Sequence, residues 1–404
     1  MSPLKKISIF IYALHPIMYQ TPIFRQFQTR YGEEANLEVF FGSDLSLRPI
    51  YFEETGTTFK PDTPDLLEGF NYKILQNFTF KEKSGFFSRF NPGIIWPLLF
   101  RRPSVVLIHG YETTTAWMLL LICLVLRIKL MWRGEVTLKD QDKIRNKNFR
   151  QNVRHFILKR FLSCFDVLLY SCRGNKEFIQ HIVGPSCGDK LVEIPCAVNN
   201  DFFKAENDRL YKSKNQIRLD LGVADNEFVI AFCARLTSRK NPLDLLEAVA
   251  MSNMPNLVIL FIGDGPLRSS LEKKASYLGV KTIFTGFVNQ SEVSRYYIVS
   301  DCAVNISSYD PSPKALNEAM NFSLPVIVTE VIGTAYDLVD DGGNGFIIKN
   351  SDVDTLSKRL KFLNSNRLIA KEMGERSFSR ISRYTMDTNA QSLWSAASLA
   401  VGRK

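Results

Sequence analysis

The sequence predicts an α/β fold built from two doubly wound, parallel-sheet domains. Three observations predict it. Short apolar runs alternate with amphipathic stretches through the second half, the same order recurs less regularly in the first half, and 404 residues are enough for two separate cores. A hydrophobic fraction of 45% and a charged fraction of 23% are those of an ordinary globular chain.

Taken in chain order, the first half offers five strands: KISIFIY, NLEVFFGS, SVVLIHG, IKLMWRG and DVLLYSC. Between Asp44 and Arg102 the chain is loop-rich and aromatic, with Phe70, Tyr72, Phe78, Phe80, Phe86, Phe87, Phe90 and Trp96. Such residues form either a local core or a substrate-selecting insertion at a strand end. The second half offers six strands: EFVIAFCAR (227–235), LVILFIG (257–263), KTIFTGF (281–287), CAVNIS (302–307), PVIVTE (325–330) and GFIIK (345–349). Helices are expected to begin near Pro242, Leu267, Ser291, Pro313, Ala335 and Val353. Ligands of such a sheet sit at the carboxyl ends of its strands. The boundary is expected within 198–216, which becomes charged and poor in large apolar residues; this places the domains at 1–203 and 204–384. The amphipathic segment about 385–404 is expected to pack back on the first domain.

Several classes are excluded. The N-terminal apolar run is too short for a signal sequence and has no Ala-x-Ala cleavage site, so it reads as the first strand. The most apolar window, AWMLLLICLVL (116–126), would extend roughly 17 Å as a helix against a hydrocarbon core of roughly 30 Å. A buried helix is the expected reading, and a membrane-dipping one its alternative. The seven cysteines are scattered without Cys-x-x-Cys spacing and read as buried thiols of a reducing cytoplasm.

The net charge of +10 is densest in the segment 127–160. There Arg127, Lys129, Arg133, Lys139, Lys143, Arg145, Lys147, Arg150, Arg154, Lys159 and Arg160 face only Glu135, Asp140 and Asp142. The run is either a solvated helical face or a surface for anionic lipid head groups or a phosphate-bearing acceptor, at the inner face of a membrane. Nucleic acid is not expected, because no stacking aromatics or known recognition motif accompany the charge.

The residues with chemical potential gather at predicted strand ends. In the stretch YDPSPKALNEAM, Asp310 and Glu318 flank a helix start with seven residues between them. With Pro313 as an early helical residue, the backbone N–H groups of Lys314, Ala315 and Leu316 would point out of the helix N-terminus, where a diphosphate is favoured. Arg235 and Lys240, in CARLTSRKNP, follow the first strand of the second domain, with Arg239 as their neighbour. Gly263-Asp264-Gly265-Pro266 follows the next strand and Gly286-Phe287 the third. His109-Gly110 closes SVVLIHG, and Glu135 follows the strand in MWRGE. Each has a bland alternative: a surface cation, a tight turn, an Asx cap at Asp310, a core position for Phe287 or a satisfied histidine. No Asp-x-Asp in a nucleotide context and no His/Cys cluster point to a metal.

Over about 222–363 this chain resembles the retaining glycosyltransferases of family 4, and more weakly before it. The resemblance implies the GT-B architecture, two Rossmann-like domains facing across a cleft, the first for the acceptor and the second for a UDP- or GDP-linked donor. It maps Arg235 and Lys240 onto the family's diphosphate-holding pair, the Gly263 and Asp264 turn beside the nucleotide, and Gly286 and Phe287 near the base. Glu318 corresponds to the acceptor of two ribose hydroxyls and His109 to a histidine contacting the donor sugar. Asp310 stands where the family carries Glu, one methylene longer. His15 lies in YALHPIMYQTP, where many relatives carry a Gly-Gly phosphate loop, so His15 and Glu135 become acceptor-site candidates. The implied function is transfer of a sugar, with retention and without obligatory metal, to a glycan or lipid-linked glycan in cell-surface polysaccharide synthesis. The alternatives are a GT-B sugar-nucleotide epimerase and a non-catalytic nucleotide-sugar-binding or membrane-associated scaffold.

Overall fold

The computed structural model describes residues 6–52, 57–59, 66–79, 85–138 and 149–403. Contacts divide the chain into two compact units, the first of 1–50, 63–196 and 386–404, the second of 51–62 and 197–385. The division falls after Cys196, seven residues before the expected boundary. The helix Asn200–Tyr211 explains the difference, because Phe203 is fully buried against Phe322 and the Asn200 amide donates to the carbonyls of Ile381 and Tyr384, all in the second unit.

The strands in chain order are β1 (Ile7–Ala13), β2 (Ala35–Phe41), β3 (Ile50–Phe52), β4 (Thr57–Phe59), β5 (Asn71–Ile74), β6 (Val105–His109), β7 (Lys129–Arg133), β8 (Val167–Tyr170) and β9 (Leu191–Glu193). In the first unit seven of them form one parallel sheet, in the order β5-β2-β1-β6-β7-β8-β9, while β3 and β4 pair with each other. The five expected strands are all present. The two that sequence did not single out, β5 and β9, are its edges. All four residues of β5 are exposed, so no buried face marks it in the sequence.

Successive residues of β1 feed opposite faces of this sheet. Phe10 and Tyr12 join one core cluster with Leu98, Leu119 and Phe161, while Ile9 and Ile11 join another with Phe24, Phe27 and Leu393. The helix Met386–Ala400 supplies Leu393, Ala396 and Ala397 to the second cluster, and its Trp394 stacks on Tyr31 at 5.0 Å.

Three expectations about the first unit are corrected. The helix Thr114–Leu126 is not simply buried: Ala116, Leu119 and Cys123 are inside, but Leu121 and Val125 stand in water. Of the described aromatics expected as local core, Phe70 is buried, whereas Tyr72, Phe78, Phe86, Phe87, Phe90 and Trp96 are exposed; Phe80 lies outside the described residues. All seven cysteines stand outside any disulfide, and Cys164 is exposed, not buried. In the basic segment, Lys139, Asp140, Asp142, Lys143, Arg145 and Lys147 lie outside the described residues, as does the side chain of Arg150. Among the described residues no helix is long and apolar enough to cross a membrane.

The second unit contains β10 (Phe228–Cys233), β11 (Leu257–Ile262), β12 (Lys281–Phe284), β13 (Cys302–Asn305), β14 (Val326–Thr329) and β15 (Gly345–Ile348). They form a six-stranded parallel sheet in the order β12-β11-β10-β13-β14-β15. The order reverses beside β10, between β11 and β13, so the carboxyl ends of these central strands border the crevice where such sheets bind ligands. Each of the six expected strands is present. Helices start at Pro242, Arg268, Gln290, Lys314, Ala335 and Val353, within a residue of expectation. Both units are thus Rossmann-like α/β layers, the composition of the GT-B architecture.

Candidate functional site

The carboxyl edge of the second sheet is built by close backbone approach. Gly263, just past β11, has φ +135° and donates its N–H to the Gly286 carbonyl at 3.0 Å. A Cβ there would lie 2.2 Å from the Ala234 carbonyl oxygen, and one on Gly265 would lie 2.6 Å from that of Leu236. Only glycine allows the turns after β10 and β11 to press together this closely. Asp264 closes its own turn: one carboxylate oxygen accepts from Gly265 N–H at 2.8 Å and the other from Arg268 at 3.3 Å. Phe287 is 47% exposed, which removes its core reading.

After β10, Arg235 is exposed, and the chain winds through the short 3-10 turn Ser238–Lys240. Asn241 then takes a left-handed conformation, φ +53°, which opens the helix Pro242–Met251. That winding delivers Lys240 to Asp310. The two side chains form an ion pair, 13% and 14% exposed. The second Asp310 oxygen accepts the Ser312 N–H at 3.1 Å, the Asx turn that was its bland alternative. The ion pair and the turn coexist, because a carboxylate has acceptor capacity for both.

The helix after it runs Lys314–Met320, and Pro313 is its N-cap with ψ 111°, outside the helix. The expectation that Pro313 is helical is corrected, and with it the trio of free amides. Leu316 N–H donates to the Pro313 carbonyl at 3.1 Å, which satisfies it within the turn. Glu318 sits inside this helix at 5% exposure. Its Oε2 accepts the hydroxyl of Tyr297 at 3.1 Å, and the same hydroxyl lies 3.3 Å from the Ala315 carbonyl. Burial first, then the neighbouring Cys233 and Glu318, pushes the Tyr297 phenol well above its usual range, and burial raises the Cys233 thiol to about 12. Both groups are therefore neutral, and the phenol donates to the Glu318 carboxylate. Sequence reasoning missed Tyr297 and Cys233. They lie in an ordinary amphipathic helix and an apolar strand, with nothing local to distinguish them.

In the first unit, His109 and Arg133 end neighbouring strands in direct register. His109 is 8% exposed and Arg133 5%. Burial, and secondarily the Arg133 charge, lowers the His109 pKa to about 3, so its imidazole is neutral. Its Nε2 is buried without a hydrogen-bond partner. Both residues line a pocket of about 130 Å³, together with Glu112, Trp132 and Glu135. Glu135 reaches Arg133 at 3.9 Å. His15 is not among the lining residues, although Leu14 and Ile17 are; its Nδ1 lies 3.2 Å from the Pro16 carbonyl. The structure thus joins His109 and Glu135 and leaves His15 beside them. Arg133, at the floor of this pocket, is an addition that sequence treated only as part of the basic run. Among the described residues no cluster of His, Cys, Asp or Glu could hold a metal ion.

Residues 213–380 match the model of the family described as glycosyl transferases group 1. The matched stretch takes in Arg235, Lys240, Asp264, Asp310 and Glu318, and leaves out His15, His109 and Glu135. The chain is 33% identical over 171 residues to alpha-monoglucosyldiacylglycerol synthase of Acholeplasma laidlawii, covering 40% of this chain and 41% of that one. It is 31% identical over 149 residues to UDP-Gal:alpha-D-GlcNAc-diphosphoundecaprenol alpha-1,3-galactosyltransferase of Escherichia coli, covering 35% and 37%. The chain therefore spans about two-fifths of the length of these relatives. In fold it is similar to Anabaena HepE, whose structure is in complex with UDP, with a TM-score of 0.69 at 16% identity over 97% of this chain and 99% of that one.

Proposed function

We propose that this protein is a retaining glycosyltransferase that moves a sugar from a UDP- or GDP-linked donor to a glycan or lipid-linked glycan, with no obligatory metal. One observation carries the proposal: the stretch that matches the group 1 model holds Lys240, Asp310, the Gly263 and Gly286 turns and the buried Glu318 around a single strand-end edge. The two relatives support the acceptor class, since one is named for a diacylglycerol product and the other for a diphosphoundecaprenol acceptor.

Transfer breaks the bond between the anomeric carbon and the diphosphate, so positive charge grows on the sugar and negative charge on the leaving oxygen. Preorganised cations stabilise the second. Arg235 and Lys240 are assigned that role, which would otherwise fall to a metal. Lys240 is held by Asp310 before any ligand arrives, so a diphosphate would share its ammonium, which has three donors. Asp310 would then lie beside the transferred sugar. Glu318, which accepts the Tyr297 hydroxyl, would be the acceptor of the two ribose hydroxyls. The turns bearing Asp264, Gly286 and Phe287, with the Lys314 and Ala315 start of the helix, complete the donor surface. In the first unit the neutral His109 would meet the donor sugar, with Glu135 on the acceptor side. Retention follows if the leaving phosphate takes the acceptor proton on the same face. Peripheral contact with an anionic membrane through the basic segment, at its cytoplasmic face, would bring the enzyme to a lipid-linked acceptor.

The test is transfer of label from a panel of sugar nucleotides to lipid-linked acceptors. Label in the acceptor supports the proposal. An altered sugar nucleotide without transfer, or binding without turnover, would replace it with an epimerase or a binding protein.

A further inference from the structure

Four helices cover one face of the first sheet; beside Arg173–Val183, which carries the exposed Glu177, stand Ile95–Arg101, Thr114–Leu126 and Phe149–Ser163. The last three are distinctive. All three bury their inner residues in a single core cluster: Leu98 from the first, Leu119 and Cys123 from the second, Leu158 and Phe161 from the third. Their outer surfaces therefore look to the same side of the unit. A covering helix ordinarily presents polar residues there. These present apolar ones. Trp96 and Phe100 are 64% and 78% exposed and stack on each other at 5.7 Å. Leu121 and Val125 are 61% and 82% exposed on a helix that is apolar on every side, and Phe149 and Phe156 are 81% and 57% exposed on the third. Singly exposed apolar residues need no explanation; this many on three helices packed over one cluster do.

The charges carried by the three helices themselves have one sign. Every charged residue within the three helices is basic, and the first two helices end on Arg102 and Arg127. Carboxylates near them are fewer: among the described residues Glu112 and Glu135 line the strand-end pocket, Glu38 pairs with Arg101, Asp166 with Lys129 and Glu177 with Arg173, whereas Arg102, Arg127 and the basic residues of the third helix outnumber them. Aromatic and aliphatic side chains ringed by Arg and Lys suit the boundary between acyl chains and anionic head groups. A second copy of this chain suits the face poorly, because a two-fold contact would set the basic residues against their own copies.

We infer that the outer faces of these helices form a membrane-docking surface, which inserts Trp96, Phe100, Leu121 and Val125 into the head-group boundary of an anionic bilayer. The inference rests on the proposed function for a reason to visit a membrane. It adds to the electrostatic contact of the basic segment an apolar contact that salt does not screen.

The experiment is sedimentation of the full chain with vesicles of phosphatidylcholine, with and without phosphatidylglycerol, at low and high salt. Wild type should bind the anionic vesicles, and part of that binding should survive high salt. The double variant Trp96→Ser/Phe100→Ser should lose the salt-resistant part, with partitioning reduced at least ~10-fold, and Val125→Glu should act in the same direction. All these positions are exposed, so circular dichroism and thermal stabilisation by sugar nucleotides should match wild type. Vesicle binding unchanged in the variants overturns the inference, as does wild type that ignores vesicles. A wild-type dimer that the double variant dissolves, without vesicle binding, assigns the face to a second copy and equally overturns it. Stabilisation by a sugar nucleotide without vesicle binding sinks the docking surface alone. Vesicle binding without any such stabilisation sinks the proposed function and leaves the docking surface standing.

Discussion

Tyr297→Phe isolates the hydroxyl that holds Glu318. The ring stays, packed 5.6 Å from Phe322, and only the O–H that reaches the Glu318 carboxylate at 3.1 Å is removed. Glu318 is 5% exposed, so water does not readily replace the lost donor. A hydrogen bond to a charged group of this kind contributes about 1.5–3 kcal/mol. For a domain of this size each 1 kcal/mol moves Tm by roughly 2–4 °C, so the variant should melt roughly 3–12 °C lower. If Glu318 binds ribose, loosening it should also weaken the donor by about tenfold, roughly 1.4 kcal/mol, and raise the donor KM more than it lowers kcat. Thermal unfolding, donor titration and initial rates measure the three quantities on one preparation. In a double-mutant cycle, Tyr297→Phe and Glu318→Gln should be non-additive in donor affinity, because the tyrosine acts through the carboxylate. A lowered Tm with unchanged donor affinity would refute the reasoning and leave Glu318 a structural residue. Additive losses would separate Tyr297 from Glu318.

Arg235→Ala should lower turnover by roughly 10²- to 10³-fold with the fold intact, the scale for one preorganised charge-stabilising donor; unchanged turnover in a folded variant would remove the phosphate assignment. Lys240→Met strands the Asp310 carboxylate at 14% exposure, so it should destabilise the protein by about 1–3 kcal/mol, and adding Asp310→Asn should restore part of that; chemical denaturation of both variants checks the order. His109 titrates far below its unfolded value of 6.5, so at low pH the unfolded chain binds a proton that the folded one refuses. Stability should therefore be unaffected above 6.5 and fall by up to about 1.4 kcal/mol per pH unit from there towards 3, and a His109→Gln variant should show a shallower pH–stability curve over that window.

The apolar runs of both halves were legible because a strand buried on both faces needs unbroken hydrophobicity, as in LVILFI of β11 or VVLIH of β6. Edge strands were not, since β5 buries none of its side chains. Within the candidate site, Gly263, Gly286, Arg235 and Lys240 stood out through their place after a strand. What they touch did not.

By itself the sequence determined two doubly wound sheets, the strand-end location of the chemistry, the basic segment and the resemblance that names a sugar-transfer reaction. The first three are local properties, carried by composition over a few residues; the reaction is what the resemblance implies. Tertiary structure decided the rest: that Lys240 meets Asp310 seventy residues away, that Tyr297 supports Glu318, that Arg133 leaves the basic run for the His109 pocket, and that Leu121, Leu124 and Val125 of an apolar helix face outward. A helix apolar on all sides reads the same whether neighbours cover one face or every face, and only the packing shows which faces remain.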